Sequence, residues 1–370
     1  MRVLFTAPGS VGHIFPLVPT AQALRAAGHD VLFAGQTPVE KLRNTGLPAV
    51  DVGDGTNVSE AFGRVLAGVR FTSGERSEDE TMELAAQGFA EHGRVTISGL
   101  LEVARGWRAD VIVHAPFQSA APLVAAVLGI PAVVHNFGVT SGGVAARMAR
   151  ILAGEYAAHG IDGPAEPTVV DVLPVSLGGD GGGWRVRYVP FNGGGTVPAE
   201  LFRRGPRRRI AVTLGTVFAE WEGIGALSGL IEQAGRVDAE VLLALGDSDL
   251  APLGELPANV RALPWVPLNE LLEACDAVVH HGGSGTMMTA AALGVPQLIL
   301  PQGADHFANA AAAEANGIAL RSSTDAVDAA LLDRLLDDEA VRKSAAAVRA
   351  EIQAMPSPAE LVADFESLIA

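Results

Sequence analysis

The residues best suited to chemistry form one short run: Ala277-Val278-Val279-His280-His281-Gly282-Gly283-Ser284-Gly285-Thr286. An apolar stretch leads into a glycine-rich turn, and a helical pattern follows through Leu293. Such a turn puts unpaired backbone amides and the positive end of a helix toward an anion. The glycines let a diphosphate come close to the backbone. Ser284 and Thr286 offer hydroxyl donors, and His281 offers a ring donor. No lysine follows the glycines, so this is not a Walker loop. Taken alone, the run also suits a tight capped turn with no ligand. A second reactive candidate is His13, in the loop Pro8-Gly9-Ser10-Val11-Gly12-His13 near the start of the chain. An imidazole titrates near neutrality and suits a general base that takes a proton from a hydroxyl.

The surrounding sequence must position these groups. Residues 2–7 are an apolar run that reads as a strand, and residues 8–12 as a loop. Residues 15–27 carry helical periodicity, with Pro16 in the first turn and Gly28 as the stop. Residues 30–34 read as the next strand, which makes a βαβ unit with parallel pairing. Strand, helix and strand follow at 110–115, 120–128 and 131–135. Residues 54–95 are more polar, and a charged loop is expected at 73–80. Glycine clusters at 178–183 and 193–195, followed by the basic stretch 203–209, mark a connection. The rhythm then restarts, with strands expected at 210–214, 241–245, 260–263, 277–281 and 297–300. The chain therefore reads as two doubly wound parallel-sheet halves, at 1–195 and 196–355, with a C-terminal amphipathic helix at 356–370. Open parallel sheets bind ligands at the carboxyl ends of their strands, so a cleft between two such sheets is the expected site.

Composition narrows the class. The 370 residues are 49% hydrophobic and 18% charged, which suits globular α/β domains. A net charge of −16 argues against nucleic acid and against general membrane-surface binding. The apolar runs are broken before they reach membrane-spanning length, and no charged-then-apolar leader opens the chain. The single cysteine, Cys275, is expected to be a buried thiol in a helix, and a cytoplasmic setting is expected. Asp247-Ser248-Asp249 has the form of a metal-binding DxD but reads better as a turn. No carboxylate or histidine cluster suggests a metal. A dinucleotide site is rejected, because the first loop lacks G-x-G-x-x-G and the second strand ends at Gly35-Gln36 without an acidic ribose ligand.

Several spaced motifs then occur in order: Trp265-Val266-Pro267-Leu268, the His281 turn, Gly294-Val295-Pro296-Gln297, and Pro301-Gln302-Gly303-Ala304-Asp305-His306. With the opening segment through Leu17 and the phrase Arg187-Tyr188-Val189-Pro190-Phe191-Asn192-Gly193, this order resembles family 1 GT-B glycosyltransferases. The likeness is to the bacterial branch that decorates antibiotic aglycones with deoxysugars, and it covers nearly the whole chain. The resemblance implies two Rossmann-like domains facing a cleft, with the C-terminal helix packed back on the first. It implies an inverting, metal-independent transfer with no cofactor beyond the sugar nucleotide.

The resemblance also implies residue roles. Trp265 would stack on the base and Val266 would offer backbone groups to its edge. His281, Gly282, Gly283, Ser284, Gly285, Thr286 and Thr216 would hold the diphosphate. Asp305 and His306 would bind sugar hydroxyls, and His13 would act as the base. Among first-domain residues, Phe62, Phe71, Phe89, Phe117, Phe137 and Met148 are candidates to line an apolar acceptor pocket, and most would equally suit the core. Thr289 stands where plant members carry a ribose-binding Glu, and Leu268 where they carry Gln. That favours a dTDP-sugar over a UDP-sugar. Ala115 stands where many relatives carry an Asp that orients the base, with His114 or Gln118 as substitutes. A sugar-nucleotide epimerase finds no acidic catalytic set here. A nucleotide-sugar-binding helper with little catalysis of its own is the other alternative. The sequence leaves the oligomeric state open, a homodimer included.

Overall fold

The computed structural model describes residues 1–36, 40–66, 78–139, 143–180, 182–215, 224–246, 248–302 and 305–369. The chain divides into two compact units. The first comprises residues 1–175, 179–187 and 355–370, and the second residues 176–178 and 188–354.

The first unit is built on a seven-stranded sheet. Its strands are β1 (Arg2–Thr6), β2 (Asp30–Gly35), β3 (Ala49–Asp51), β4 (Val111–His114), β5 (Ala132–His135), β6 (Thr168–Asp171) and β7 (Trp184–Arg185). Their order is β3-β2-β1-β4-β5-β6-β7, and every pair is parallel. Val3, Leu4, Phe5, Val111, Ile112 and Val113 are fully buried. Strands covered by helices on both faces must be apolar throughout, which is why these segments read as unbroken hydrophobic runs. β1 is flanked by β2 and β4, so the winding reverses direction between β1 and β4.

The second unit repeats the plan with six strands: β8 (Arg208–Thr213), β9 (Ala239–Leu243), β10 (Val260–Ala262), β11 (Ala277–His280), β12 (Gln297–Ile299) and β13 (Ala319–Arg321). The order is β10-β9-β8-β11-β12-β13, again all parallel. Here the winding reverses between β8 and β11. Each unit is thus a doubly wound parallel sheet, as expected from the sequence.

Local chemistry explains where segments sit. The stretch after Arg187 belongs with the second unit because its polar groups bond there. Tyr188 Oη donates to the Gly285 carbonyl (3.3 Å), Asn192 Oδ1 accepts from the Asn269 amide (3.1 Å), and the Gly194 carbonyl accepts from Trp265 Nε1 (3.2 Å). The C-terminal residues belong with the first unit: the Arg187 amide donates to the Pro356 carbonyl (2.8 Å), and Phe365 packs edge-on against Trp184 at 5.2 Å. The helix there is shorter than the amphipathic pattern, Val362–Ser367. Of the charged stretch expected as a loop, residues 78–80 already belong to the helix Glu78–Arg94, and residues 73–77 lie outside the described residues. Cys275 is buried as expected, but it lies past the end of the helix Leu268–Glu273, and burial pushes its thiol up to about 12.

Close helix packing depends on small residues. A Cβ at Gly99, in the helix Ile97–Trp107, would lie 2.3 Å from the Val52 carbonyl oxygen. Backbone cannot yield as a flexible side chain can. Gly99→Ala is therefore expected to destabilise the first unit by about 1–3 kcal/mol, read as a lower urea midpoint.

Candidate functional site

Both candidate centres lie where a doubly wound sheet offers a ligand crevice, at the carboxyl ends of strands where the winding reverses. In the second unit the loops after β8 and β11 meet there. Gly215 follows β8 with φ +67, and a Cβ on it would lie 2.6 Å from His281 Cε1. Gly283 follows β11, and a Cβ on it would lie 2.6 Å from His281 Nε2. The His281 ring thus sits between two glycines from neighbouring strands. Gly282 has φ +100, and its Cβ would meet Ile299 Cγ2 and His306 Cβ, both at 3.0 Å. The turn accepts only glycine at 282 on both counts.

The helix Ser284–Leu293 starts directly after the turn, with no acidic residue in its first turn. The amides at that end lack intrahelical partners, and the helix dipole favours an anion there. His281 packs edge-on against His306, ring centroids 4.7 Å apart. Burial first, and the neighbouring His306 and His280 next, hold His281 well below the usual histidine range. It is therefore a neutral hydrogen-bonding ring at pH 7. His280 beneath it is fixed by two bonds: the Gly282 amide donates to its Nδ1 (3.1 Å), and its Nε2 donates to Gln297 Oε1 (2.8 Å).

Ser284 and Asp305 meet directly, with Ser284 Oγ donating to Asp305 Oδ2 at 2.8 Å. Asn309 joins them. Its Nδ2 lies 2.9 Å from the Gly282 carbonyl, from Ser284 Oγ and from Asp305 Oδ2. Asn309 is fully buried and locks the glycine turn to the start of the helix His306–Ala315. Sequence reading missed it. The only available signal was its position one helical turn after Asp305. Asp305 stands at the N-cap of that helix but makes no side-chain cap bond, because its carboxylate is turned to Ser284 and Asn309.

Trp265 lies beyond β10, 36% exposed, its indole N–H held by Gly194. About a third of this large aromatic side chain is thus left open to solvent. Val266 is buried beside it. Thr286 is half-buried in the first helical turn, with Gly285 next to it. Thr216 lies outside the described residues. Ser248 and Asp249 bond to their own turn, through the Leu245 carbonyl (2.7 Å) and the Ala251 amide (3.0 Å). Among the described residues no three His, Cys, Asp or Glu side chains come together to hold a metal ion. Nor is any described helix long and apolar enough to cross a membrane.

In the first unit His13 occupies the short helix Val11–Ile14 after β1, beside the β1/β4 reversal. Three phenylalanine rings stand edge-on to it: Phe89 at 5.5 Å, Phe117 at 5.4 Å and Phe137 at 5.3 Å. Phe62 extends the group, edge-on to Phe89 at 5.1 Å. These rings come from a helix after β3, the helix Glu78–Arg94, and the loops after β4 and β5. Four of the five phenylalanines named from the sequence therefore gather at one imidazole, and Phe71 lies outside the described residues. Met148 is buried in the helix Val144–Ile151. Ala115 is fully buried at the end of β4 and supplies only a methyl group.

Buried neutral histidines bear on stability. Burial pushes His92, His114, His135 and His280 down to about 4. An unfolded chain protonates such groups near pH 6.5. Between these values the unfolded state binds more protons, so stability is full above about pH 6.5 and is lost as pH falls toward 4. Urea midpoints are expected to fall steeply across that window. A flat profile there would contradict the burial of these rings.

The fold and the paired centres define a GT-B glycosyltransferase, and comparison with known proteins specifies the family. Family models for the N-terminal and C-terminal domains of erythromycin biosynthesis protein CIII-like proteins match residues 22–215 and 228–368. The elloramycin glycosyltransferase ElmGT of Streptomyces olivaceus is 38% identical over 369 residues, covering 98% of this chain and 96% of its own. The crystal structure of the glycosyltransferase SnogD from Streptomyces nogalater superposes with a TM-score of 0.86 at 40% identity, covering 100% of this chain and 99% of its own. The glycosyltransferase SsfS6 of Streptomyces sp. SF2575, complexed with thymidine diphosphate, gives 0.87 at 30% identity, with 99% of each chain covered. The chain belongs to the erythromycin biosynthesis protein CIII-like family and is a glycosyltransferase of antibiotic biosynthesis.

Proposed function

We propose that the protein moves a deoxysugar from a dTDP-sugar to a small apolar natural-product acceptor, with inversion and without a metal ion, using His13 as the general base. The single observation that carries this reading is the His281 ring set between Gly215 and Gly283 at the second sheet's reversal, next to an uncapped helix start. The thymidine diphosphate in the matched SsfS6 structure supports the same donor class.

In this reading Trp265 stacks on thymine and the Val266 backbone meets its edge. His281, Thr216, Thr286 and the amides of Gly282, Gly283, Ser284 and Gly285 hold the diphosphate. Asp305 and His306 bind sugar hydroxyls, with Asp305 set in place by Asn309 and Ser284. The deoxyribose preference rests on Thr289. Its hydroxyl donates to the Gly285 carbonyl at 2.7 Å, and Tyr188 Oη donates to the same oxygen. Thr289 is fully buried, so no carboxylate stands there to satisfy a ribose diol. A ribose hydroxyl left unpaired in a closed site is disfavoured.

The acceptor lies among Phe62, Phe71, Phe89, Phe117 and Phe137. His13 takes the proton of its hydroxyl as the oxygen forms a bond to the anomeric carbon. The bond from that carbon to the diphosphate oxygen breaks, and dTDP leaves with the electron pair. Negative charge developing on the diphosphate is met by the fixed donors of the glycine turn.

The test is to incubate the purified protein in EDTA with a dTDP-deoxysugar and a panel of polycyclic aromatic and macrolide aglycones. Mass spectrometry would detect the adduct and NMR would read the anomeric configuration. An inverted glycoside formed in EDTA is expected. Retention, or dependence on added metal, would overturn the mechanism.

A further inference from the structure

Two turns border the crevice at the second sheet's reversal, and both begin in the same way. Thr213 ends β8 and His280 ends β11, and the two residues are paired across these neighbouring strands. Two residues on from each stands a glycine in the left-handed region, Gly215 at φ +67 and Gly282 at φ +100. The Gly215 amide donates to Thr213 Oγ1 at 3.2 Å, and the Gly282 amide donates to His280 Nδ1 at 3.1 Å. A side chain that captures the amide two residues on makes a tight local turn. Asn and Asp do this most often, and Ser and Thr more weakly. Here a hydroxyl and an imidazole do it side by side, at one level of the sheet.

The direction of the second bond fixes the state of the imidazole. An amide N–H can only donate, so His280 Nδ1 carries no proton and Nε2 carries one. That Nε2 proton goes to Gln297 Oε1 at 2.8 Å, which locks the tautomer. Burial holds His280 down at about 4, so the ring is uncharged at pH 7 and keeps the Nδ1 lone pair. Thr213, His280 and Gln297 are all buried, so they act on a ligand through the turns and not by contact. His281 stands between those turns. A Cβ on Gly215 or on Gly283 would lie 2.6 Å from its ring. A shift of either turn therefore moves this ring. A shift at Gly282 also moves the amides at the start of the helix Ser284–Leu293. On its other side the Gly282 carbonyl is held by Asn309 Nδ2 (2.9 Å), so buried side chains grip this residue at both its amide and its carbonyl.

We propose that Thr213 and His280 are a matched pair of positioning residues for the diphosphate of the donor: by capturing the Gly215 and Gly282 amides they set the two turns that hold His281 and aim the amides of Gly283, Ser284 and Gly285. The site is then formed before the ligand arrives, so binding does not have to order it. The proposal rests on reading this crevice as the diphosphate site. It refines that reading at one residue, because the Gly282 amide, engaged by His280, serves the turn instead of the ligand.

The test is calorimetric titration of the full-length protein with dTDP in EDTA, with urea midpoints measured on the same preparations. Thr213→Val keeps the shape of the side chain and removes the acceptor, and His280→Leu removes the ring nitrogen. Each is expected to weaken dTDP binding by about five- to tenfold, the worth of a hydrogen bond whose donor is left unpaired. Thr213→Ser and His280→Asn keep an acceptor within reach of the same amide, and should bind dTDP within about twofold of the wild type. Both lose buried volume and should be less stable than the wild type. Affinity that followed stability alone would show no such rescue. A 15N–15N coupling from the Gly282 amide to His280 Nδ1 is also expected in the labelled wild-type protein, and it needs no variant to fold. Absence of that coupling overturns the proposal. So does wild-type affinity in folded Thr213→Val or His280→Leu, or failure of Thr213→Ser and His280→Asn to bind more tightly than these two. If the wild-type protein binds no dTDP, the donor reading fails and the positioning role fails with it. If it binds dTDP and the coupling or the rescue is absent, the positioning role alone fails.

Discussion

His13→Ala is expected to lower turnover by about 10²–10⁴-fold, the usual worth of a positioned general base. dTDP affinity should stay within about twofold, because the proposed donor centre belongs to the other compact unit. The separation of the two effects is what makes the experiment informative. His13 is half-buried against three phenylalanine rings, so its loss also leaves a gap among them. His13→Gln fills much of that gap without supplying a base, and it should be nearly as inactive. If His13→Gln kept wild-type turnover, the imidazole would be a packing element and the base would have to be sought elsewhere.

Gly282→Ala carries the second large effect. The residue sits at φ +100, and an added Cβ would press on Ile299 and on His306 at 3.0 Å. A non-glycine residue in such a conformation costs about 1–3 kcal/mol. The chain can relieve this only by moving the turn, and the turn aims the amides of 283–286. Asn309 transmits the shift, since one amide group ties the Gly282 carbonyl to Ser284 and Asp305. A lower melting temperature and at least a tenfold loss of dTDP affinity are expected, the latter equal to about 1.4 kcal/mol. Calorimetry and thermal unfolding on one preparation check both. A destabilised protein that still binds dTDP at wild-type strength would show that the turn does not hold the diphosphate.

Much of this was legible in the chain. Buried parallel strands must be apolar on both faces, so β1, β4, β8 and β11 stood out as short hydrophobic runs between glycine turns. The His281 turn was legible because strand, glycines and helix start follow one another in sequence, where local rules apply. His13 and the phenylalanines stand out as candidates from residue type and position alone. Their convergence was not readable, because the phenylalanines come from three separate connections and His13 from a fourth, and they meet only through the sheet order. Asn309 was missed for the same reason. It sits on an ordinary helical pattern, and the Gly282 and Ser284 it binds belong to a distant turn. Cys275 was assigned to a helix because leucines and alanines continue the apolar period past Glu273, yet the helix ends there so that the chain can enter β11. The early helical residues 78–80 were hidden by charge, which marks a solvated surface but does not forbid a helix.

The central claim is the donor proposed for the second unit. The decisive measurement is calorimetric titration of the purified protein with dTDP and with UDP, in EDTA. dTDP is expected to bind without metal, tighter than UDP by about tenfold or more, since one methyl group on the base and one unpaired hydroxyl on the sugar separate the two. Equal affinity for UDP would contradict the Thr289 argument, and failure of dTDP to bind would contradict the donor site itself.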